Sequence, residues 1–280
     1  MPAILRHMRN QTALGGILLS WGLAACGLEM PSPPPDLFYK YNVLEVGQGP
    51  AYLLTADLNL DGNADLVSAN ANNSTLSVML GKGDGTFHDT LTFSVAAEPT
   101  MVAVGDINND GIPDLVANAR GADRLTVLMG NGNGSFLKLP KVTTGRVPLS
   151  VILADFNMDG KLDLAVTLTF DKMEIFMGTG DGLFKRGKSY MTGSRSFSGV
   201  AADFDGDGKT DLALATSSSN ASAIRIYRGH GDGTFSKPVQ FARGRVPLTL
   251  VKKDMNNDGW TDLYVTNVGA NILYRNNGDG

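Results

Sequence analysis

Five short stretches gather the side chains best placed for chemistry: ADLNLDGNADLV from Ala56, GDINNDGIPDLV from Gly105, ADFNMDGKLDLA from Ala154, ADFDGDGKTDLA from Ala202 and KDMNNDGWTDLY from Lys253. Each carries Asp at position 1, Asn or Asp at 3, Asp at 5, Gly at 6 and Asp at 9. The side-chain oxygens therefore come in five sets: Asp57, Asn59, Asp61, Asp65; Asp106, Asn108, Asp110, Asp114; Asp155, Asn157, Asp159, Asp163; Asp203, Asp205, Asp207, Asp211; and Asp254, Asn256, Asp258, Asp262. Oxygens on alternate residues of a tight turn converge on one point, and Ca²⁺ takes roughly six to eight of them at about 2.3–2.6 Å. Position 7 (Asn63, Ile112, Lys161, Lys209, Trp260) would add its backbone carbonyl. Without a cation, two carboxylates about 4 Å apart repel by roughly 4 kcal/mol at an effective dielectric near 20. One calcium per loop, up to five, is therefore expected to order the loops.

The EF-hand loop opens in the same way but closes with a bidentate Glu at position 12 between two helices. Here position 12 is Ser68, Ala117, Val166, Leu214 or Val265. The flanking runs, such as AYLLTA before the first loop and DLVSAN after it, read as strands. The loop belongs in a β-hairpin.

The elements that must hold these loops recur with them. The first Asp falls at 57, 106, 155, 203 and 254, a spacing of 49, 49, 48 and 51 residues, and periods near 50 mark repeat architectures. Within a unit a strand precedes the loop and a second begins at its last Asp. A third alternates apolar positions (Leu76, Val78, Leu80) as a half-buried strand does. It runs into GKGDGTF, GNGNGSF, GTGDGLF or GHGDGTF, whose phenylalanines (Phe87, Phe136, Phe184, Phe235) are expected to anchor a fourth strand. Those glycine turns are read as structural rather than ion-binding. Four short antiparallel strands repeated radially make an all-β fold, the β-propeller.

The pairing of DxNxDGxxDL with GxGDGTF resembles the FG-GAP or VCBS repeat, the blade of the integrin α-subunit propeller and of many bacterial surface proteins. The resemblance spans residues 37–280 and implies calcium in the loop between the first two strands of each blade. It implies no single function, since a fold hosts sites without defining them. The chain ends in RNNGDG, while Asp36-Leu37-Phe38 occupies the register of the phenylalanine absent there. A first strand that completes the last blade gives five blades; a family ring of about seven makes this part of a larger array.

Residues 1–25 have a basic start (Arg6, Arg9) and an apolar run from Ala13 to Leu23, the form of a secretory signal. The ending LAAC at Cys26, the one cysteine, resembles a bacterial lipoprotein box, which implies cleavage before Cys26 and lipid on its sulfur. Gly27 rather than Asp follows, so the expected destination is the outer membrane or cell surface. Residues 26–36 are a proline-rich tether.

Without the leader, 22 basic and 28 acidic side chains remain, a balance that five divalent cations would reverse. No basic patch suggests nucleic acid. Departures from the repeat point to a binding surface. Arg146 and Arg245 stand nine residues before a loop, where other units have Gln48, Ala97 and Ser194, and Arg195 follows the last of these. Three such arginines suit an anionic sugar or carboxylate. Lys252 and Lys253, where other units have Ala or Gly before the loop, are read as pointing into the channel or weakening the fifth site. His88 and His230 belong to no metal or nucleophile set. The expected function is a surface-anchored binding or adhesion module for a glycan or an envelope protein, without chemistry. The alternatives are a calcium-dependent, lyase-like polysaccharide enzyme and an envelope scaffold.

Overall fold

The computed structural model describes residues 43–217, 222–241 and 246–278, and every regular element in them is a β-strand. The signal, Cys26, the tether, Phe38 and Arg245 lie outside the described residues.

The strands form where β-branched and apolar runs are bounded by Gly, Asn and Asp. The first sheet holds β1 (Pro50–Ala56), β2 (Asp65–Asn70), β3 (Thr75–Met79) and β4 (Leu91–Ser94). The second holds β5 (Val102–Gly105), β6 (Asp114–Ala119), β7 (Arg124–Gly130) and β8 (Phe136–Lys138), with β9 (Val142–Thr143) also on β7. The third holds β10 (Pro148–Ala154), β11 (Asp163–Leu168), β12 (Lys172–Gly178) and β13 (Phe184–Met191). The fourth holds β14 (Arg195–Ala202), β15 (Asp211–Ser217), β16 (Ala223–Tyr227) and β17 (Val239–Phe241). The fifth shows β18 (Pro247–Lys253), β19 (Asp262–Asn267) and β20 (Ile272–Tyr274), three strands among the described residues. Each is an antiparallel meander in chain order, and the five are the blades of a β-propeller.

Register places every acidic loop in the first hairpin of its blade. The last residue of the inner strand pairs with the position-9 Asp in each case: Ala56 with Asp65, Gly105 with Asp114, Ala154 with Asp163, Ala202 with Asp211 and Lys253 with Asp262. The core lies between blades. Leu58, Val67 and Val78 of the first pack with Val102, Leu115 and Leu128 of the second, and corresponding clusters join the later pairs. The third strand of the first blade is not half-buried. All five residues of β3 are buried: Leu76 and Val78 pack on the second blade, while Thr75 and Ser77 are bonded by Asn70 of their own blade, with the linker at Gly47 laid over Ser77.

In the second, third and fourth blades the glycine-turn phenylalanine fills the seam toward the preceding blade. Phe136 meets Phe93 edge-on at 5.2 Å between centroids, and Phe235 meets Phe156 at 5.4 Å and Tyr190 at 5.7 Å. Between the fourth and fifth blades the same place is a cleft of about 390 Å³, lined by Phe204, Ile226, Phe241, Leu263 and Tyr274 among others. The inner strands of the two end blades are open to solvent, with Leu53 in β1 59% and Leu248 in β18 45% exposed.

Candidate functional site

The position-9 aspartates are the best-buried parts of the loops. Asp65, Asp114, Asp163 and Asp262 are fully buried and Asp211 nearly so. Each accepts two backbone N–H groups. Asp163 Oδ2 takes Phe156 N–H at 2.9 Å and its Oδ1 takes Gly178 N–H at 2.7 Å. The same pair of bonds recurs at Asp65, Asp114, Asp211 and Asp262. One carboxylate thus ties its loop to the glycine turn of the same blade. Burial pushes Asp163 up to about 6 against the pull of these bonds, with Asp159 and Asp155 adding repulsion. Asp114 and Asp211 are raised for the same first cause.

The first Asp organises the turn. Asp106 accepts Asp110 N–H and Gly111 N–H at 3.1 and 2.8 Å, and Asp57, Asp155 and Asp254 do likewise for their own positions 5 and 6. Glycine at position 6 has φ between 77° and 91° in all five loops. Position 4 is left-handed as well, though four of its residues carry side chains: Leu60, Asn109, Met158 and Asn257, with φ of 59–62°. Only the fourth loop relieves it, with Gly206. Such backbone strain is held by its surroundings and collects at functional sites.

The residues present fit a hard cation. Oxygens of Asp203, Asp205 and Asp211 lie within 4.8 Å of one another. Asn59 Oδ1 is buried with no hydrogen-bond partner, as an oxygen reserved for a ligand would be. Asn59, Asn108 and Asn256 turn their amides onto the position-5 carboxylates at 2.7–2.9 Å. In the fourth loop Lys209 Nζ reaches Asp207 Oδ2 at 2.7 Å and Arg228 Nε reaches Asp205 Oδ2 at 3.3 Å, so protein cations offset part of the charge.

Lys252 lies on the exposed inner strand of the fifth blade. Its Nζ donates to the Ala201 carbonyl of the fourth blade, and burial lowers its pKa. The glycine turns cap themselves: Asp84 and Asp232 each accept the N–H and hydroxyl of a threonine two residues on, at 2.6–2.9 Å. Those bonds hold both carboxyls below their ordinary range.

The opposite end of each blade carries the linkers and the hairpins between second and third strands. There Arg146 lies over the ring of Phe170 at 5.7 Å. Phe170 is 63% exposed at the β11–β12 hairpin. The next residue, Val147, has φ 53°, a conformation rare for a β-branched side chain. It is held by Asp123 Oδ1, which accepts its N–H at 2.8 Å, and by Thr169 N–H, which donates to its carbonyl at 3.2 Å. Arg195 opens β14 on a different linker and is exposed.

The FG-GAP-like repeat matches four overlapping stretches, residues 57–117, 106–166, 155–214 and 203–251, together well over half of the chain. The chain belongs to the FG-GAP-like repeat family. No curated protein matches it. Among solved structures, it resembles BBS1N in complex with ARL6DN (15% identity, TM-score 0.55, 79% of this chain and 60% of that one). It also resembles an Agrocybe aegerita lectin that recognises non-reducing terminal N-acetylglucosamine (17%, TM-score 0.55, 83% and 64%). A third is a candidate 6-phosphogluconolactonase from Bacteroides uniformis (17%, TM-score 0.57, 82% and 72%). At these identities the likeness is one of fold, and the chain spans about three-fifths of the first two structures. Within the FG-GAP units the position of Phe170 is Asn72, Gly121 or Gly269 in other blades. Sequence reasoning passed over Phe170; an aromatic where sister units have small turn residues was the signal.

Proposed function

We propose that this protein is a calcium-stabilised FG-GAP propeller that binds a glycan on its linker face, exported and tethered through Cys26, and that does no chemistry on the ligand. The observation that carries the reading is the Arg146–Phe170 pair. Two departures from the repeat fall in one blade and touch, next to a strained valine. An exposed ring with a guanidinium over it offers a sugar an apolar face and an oxyanion donor together. The acidic loops lie at the other end of the strands, roughly 20 Å away for six residues. Calcium then stabilises the scaffold and does not bridge the ligand. Its affinity is set on the order of 10⁻⁴ to 10⁻³ M, as in extracellular modules.

The test is retention on immobilised acidic and neutral polysaccharides in millimolar calcium, with newly formed sugar ends recorded in the same samples. Retention without new ends, lost in Phe170→Ala and Arg146→Ala, is expected. New ends would make it an enzyme. Retention unchanged in both variants would remove this face as the site.

A further inference from the structure

In the first three blades one position of the third strand receives the incoming linker. In each of them it is filled by an acceptor. Ser77 Oγ takes Gly47 N–H at 3.2 Å, Thr126 Oγ1 takes Ala96 N–H at 3.1 Å and Glu174 Oε2 takes Gly145 N–H at 2.9 Å. The three linker residues each stand ten positions before a first loop Asp. The three acceptors pair across the ladder with Ser68, Ala117 and Val166, each three positions after a last loop Asp.

In the fourth blade the same ladder position, opposite Leu214, is Arg225, and the linker residue is Gly193. Arginine has five N–H donors and no acceptor. It lies against the linker: a Cβ on Gly193 would collide with Nη1 and sit 2.9 Å from Nη2. A guanidinium therefore stands where the other three blades place an acceptor. Arg225 Nε is buried without a partner, and no carboxylate comes within ion-pair distance of the guanidinium among the described residues. Its neighbour Tyr227 donates its hydroxyl to Met191 O at 3.1 Å, and the phenolic oxygen lies within hydrogen-bonding reach of Arg225, which leaves Nε and the remaining guanidinium N–H groups for a ligand. Arg195 leaves the same linker two residues after Gly193, which is itself exposed with φ 68°.

We infer that Arg225 and the Gly193 N–H form a carboxylate-binding site, in which the ligand supplies the acceptor that the first three blades build in. The planar fork suits the two oxygens of a carboxylate. Resting on the glycan reading above, that carboxylate is the one on an acidic sugar of the bound polymer.

The test is titration of the ¹⁵N-labelled full chain with acetate, glucuronate and methyl glucoside, following the Arg225 Nε–H and Gly193 N–H resonances. Saturable shifts with acetate and glucuronate, and none with the neutral glucoside, are expected. Arg225→Thr restores the arrangement of Thr126 and should fold, and it should weaken acetate binding at least tenfold. Arg225→Lys, which keeps the charge without the fork, should weaken it several-fold. Shifts that never saturate, or saturation unchanged in Arg225→Thr, would overturn the site. Loss of polysaccharide retention with the acetate response intact overturns the glycan reading alone.

Discussion

Asp163 and Gly178 are joined across fifteen residues by a 2.7 Å hydrogen bond from the glycine N–H to a carboxylate with no solvent exposure. With Phe156 N–H on its other oxygen, this aspartate closes the blade as well as lining the loop. The two roles separate by mutation. Asp163→Ala leaves two buried donors unpaired and should cost about 2–4 kcal/mol, in chelator as well as in calcium. Asp159→Ala, at the exposed rim, should change stability by less than about 0.5 kcal/mol in chelator and abolish part of the calcium-dependent gain. Urea unfolding of both variants with and without calcium checks this; equal losses in chelator would refute the division.

Calcium-free protein should become more stable as pH falls from neutral. Asp163 has its folded pKa raised from 3.8 to about 6, and Asp114 and Asp211 are raised too. The folded state therefore binds more protons than the unfolded chain between about pH 6 and 3.8, and stability falls as pH rises through that window. Below it, Asp84, Asp181 and Asp232, whose folded pKa values are lowered, lose their contribution and the gain ends. Melting temperatures in metal-stripped buffer should be higher at pH 5 than at pH 7.5. A flat profile would contradict the burial of the position-9 carboxylates.

Glu174 is 2% exposed and accepts Gly145 N–H while pairing with Arg186 at 2.7 Å. Arg186 also donates to Thr143 O at 2.7 Å and lies over Phe176 at 5.1 Å. Glu174→Ala should destabilise by about 2–3 kcal/mol, since a charge-assisted bond and a linker acceptor are lost together. Glu174→Gln, which keeps the acceptor, should recover about half. Guanidinium melts of the two variants distinguish this from a mere surface ion pair, worth at most about 1 kcal/mol.

Phe235 fills the seam between the third and fourth blades, and Phe235→Ala should cost about 3–5 kcal/mol. Phe241, 43% exposed beside the open cleft, should cost well under half as much when truncated. Comparable losses at the two positions would mean that the cleft is filled in solution.

Much of this molecule was legible because its information is local. The acidic loops, the glycine turns and the strand boundaries are set by residues within a few positions, and the repeat multiplies each signal fivefold. The burial of β3 on both faces was not legible, because Ser77 and Thr75 alternate with apolar residues in the chain and are covered by Asn70 and by the linker at Gly47, which only the fold brings over them. Asp65 and its sisters read as ligands; their bonds to backbone groups seven and fourteen to eighteen residues away depend on how the hairpins stack. Lys252 and Arg225 look alike in a sequence, as basic residues that follow apolar strand positions. What each faces, the Ala201 carbonyl of the neighbouring blade for the first and the linker at Gly193 for the second, is decided by the fold.

Each aspartate clamp bonds only within its own unit. A gene duplication that copies about fifty codons therefore delivers a blade with its lock inside, and only the seam side chains must suit the newcomer. Recombination between units should lengthen or shorten such arrays in whole steps. A breakpoint between loop and glycine turn would instead part Asp from one of its two donors and leave that buried N–H unanswered. Lineages carrying this architecture are thus free to vary in blade number while the lock in every blade stays the same.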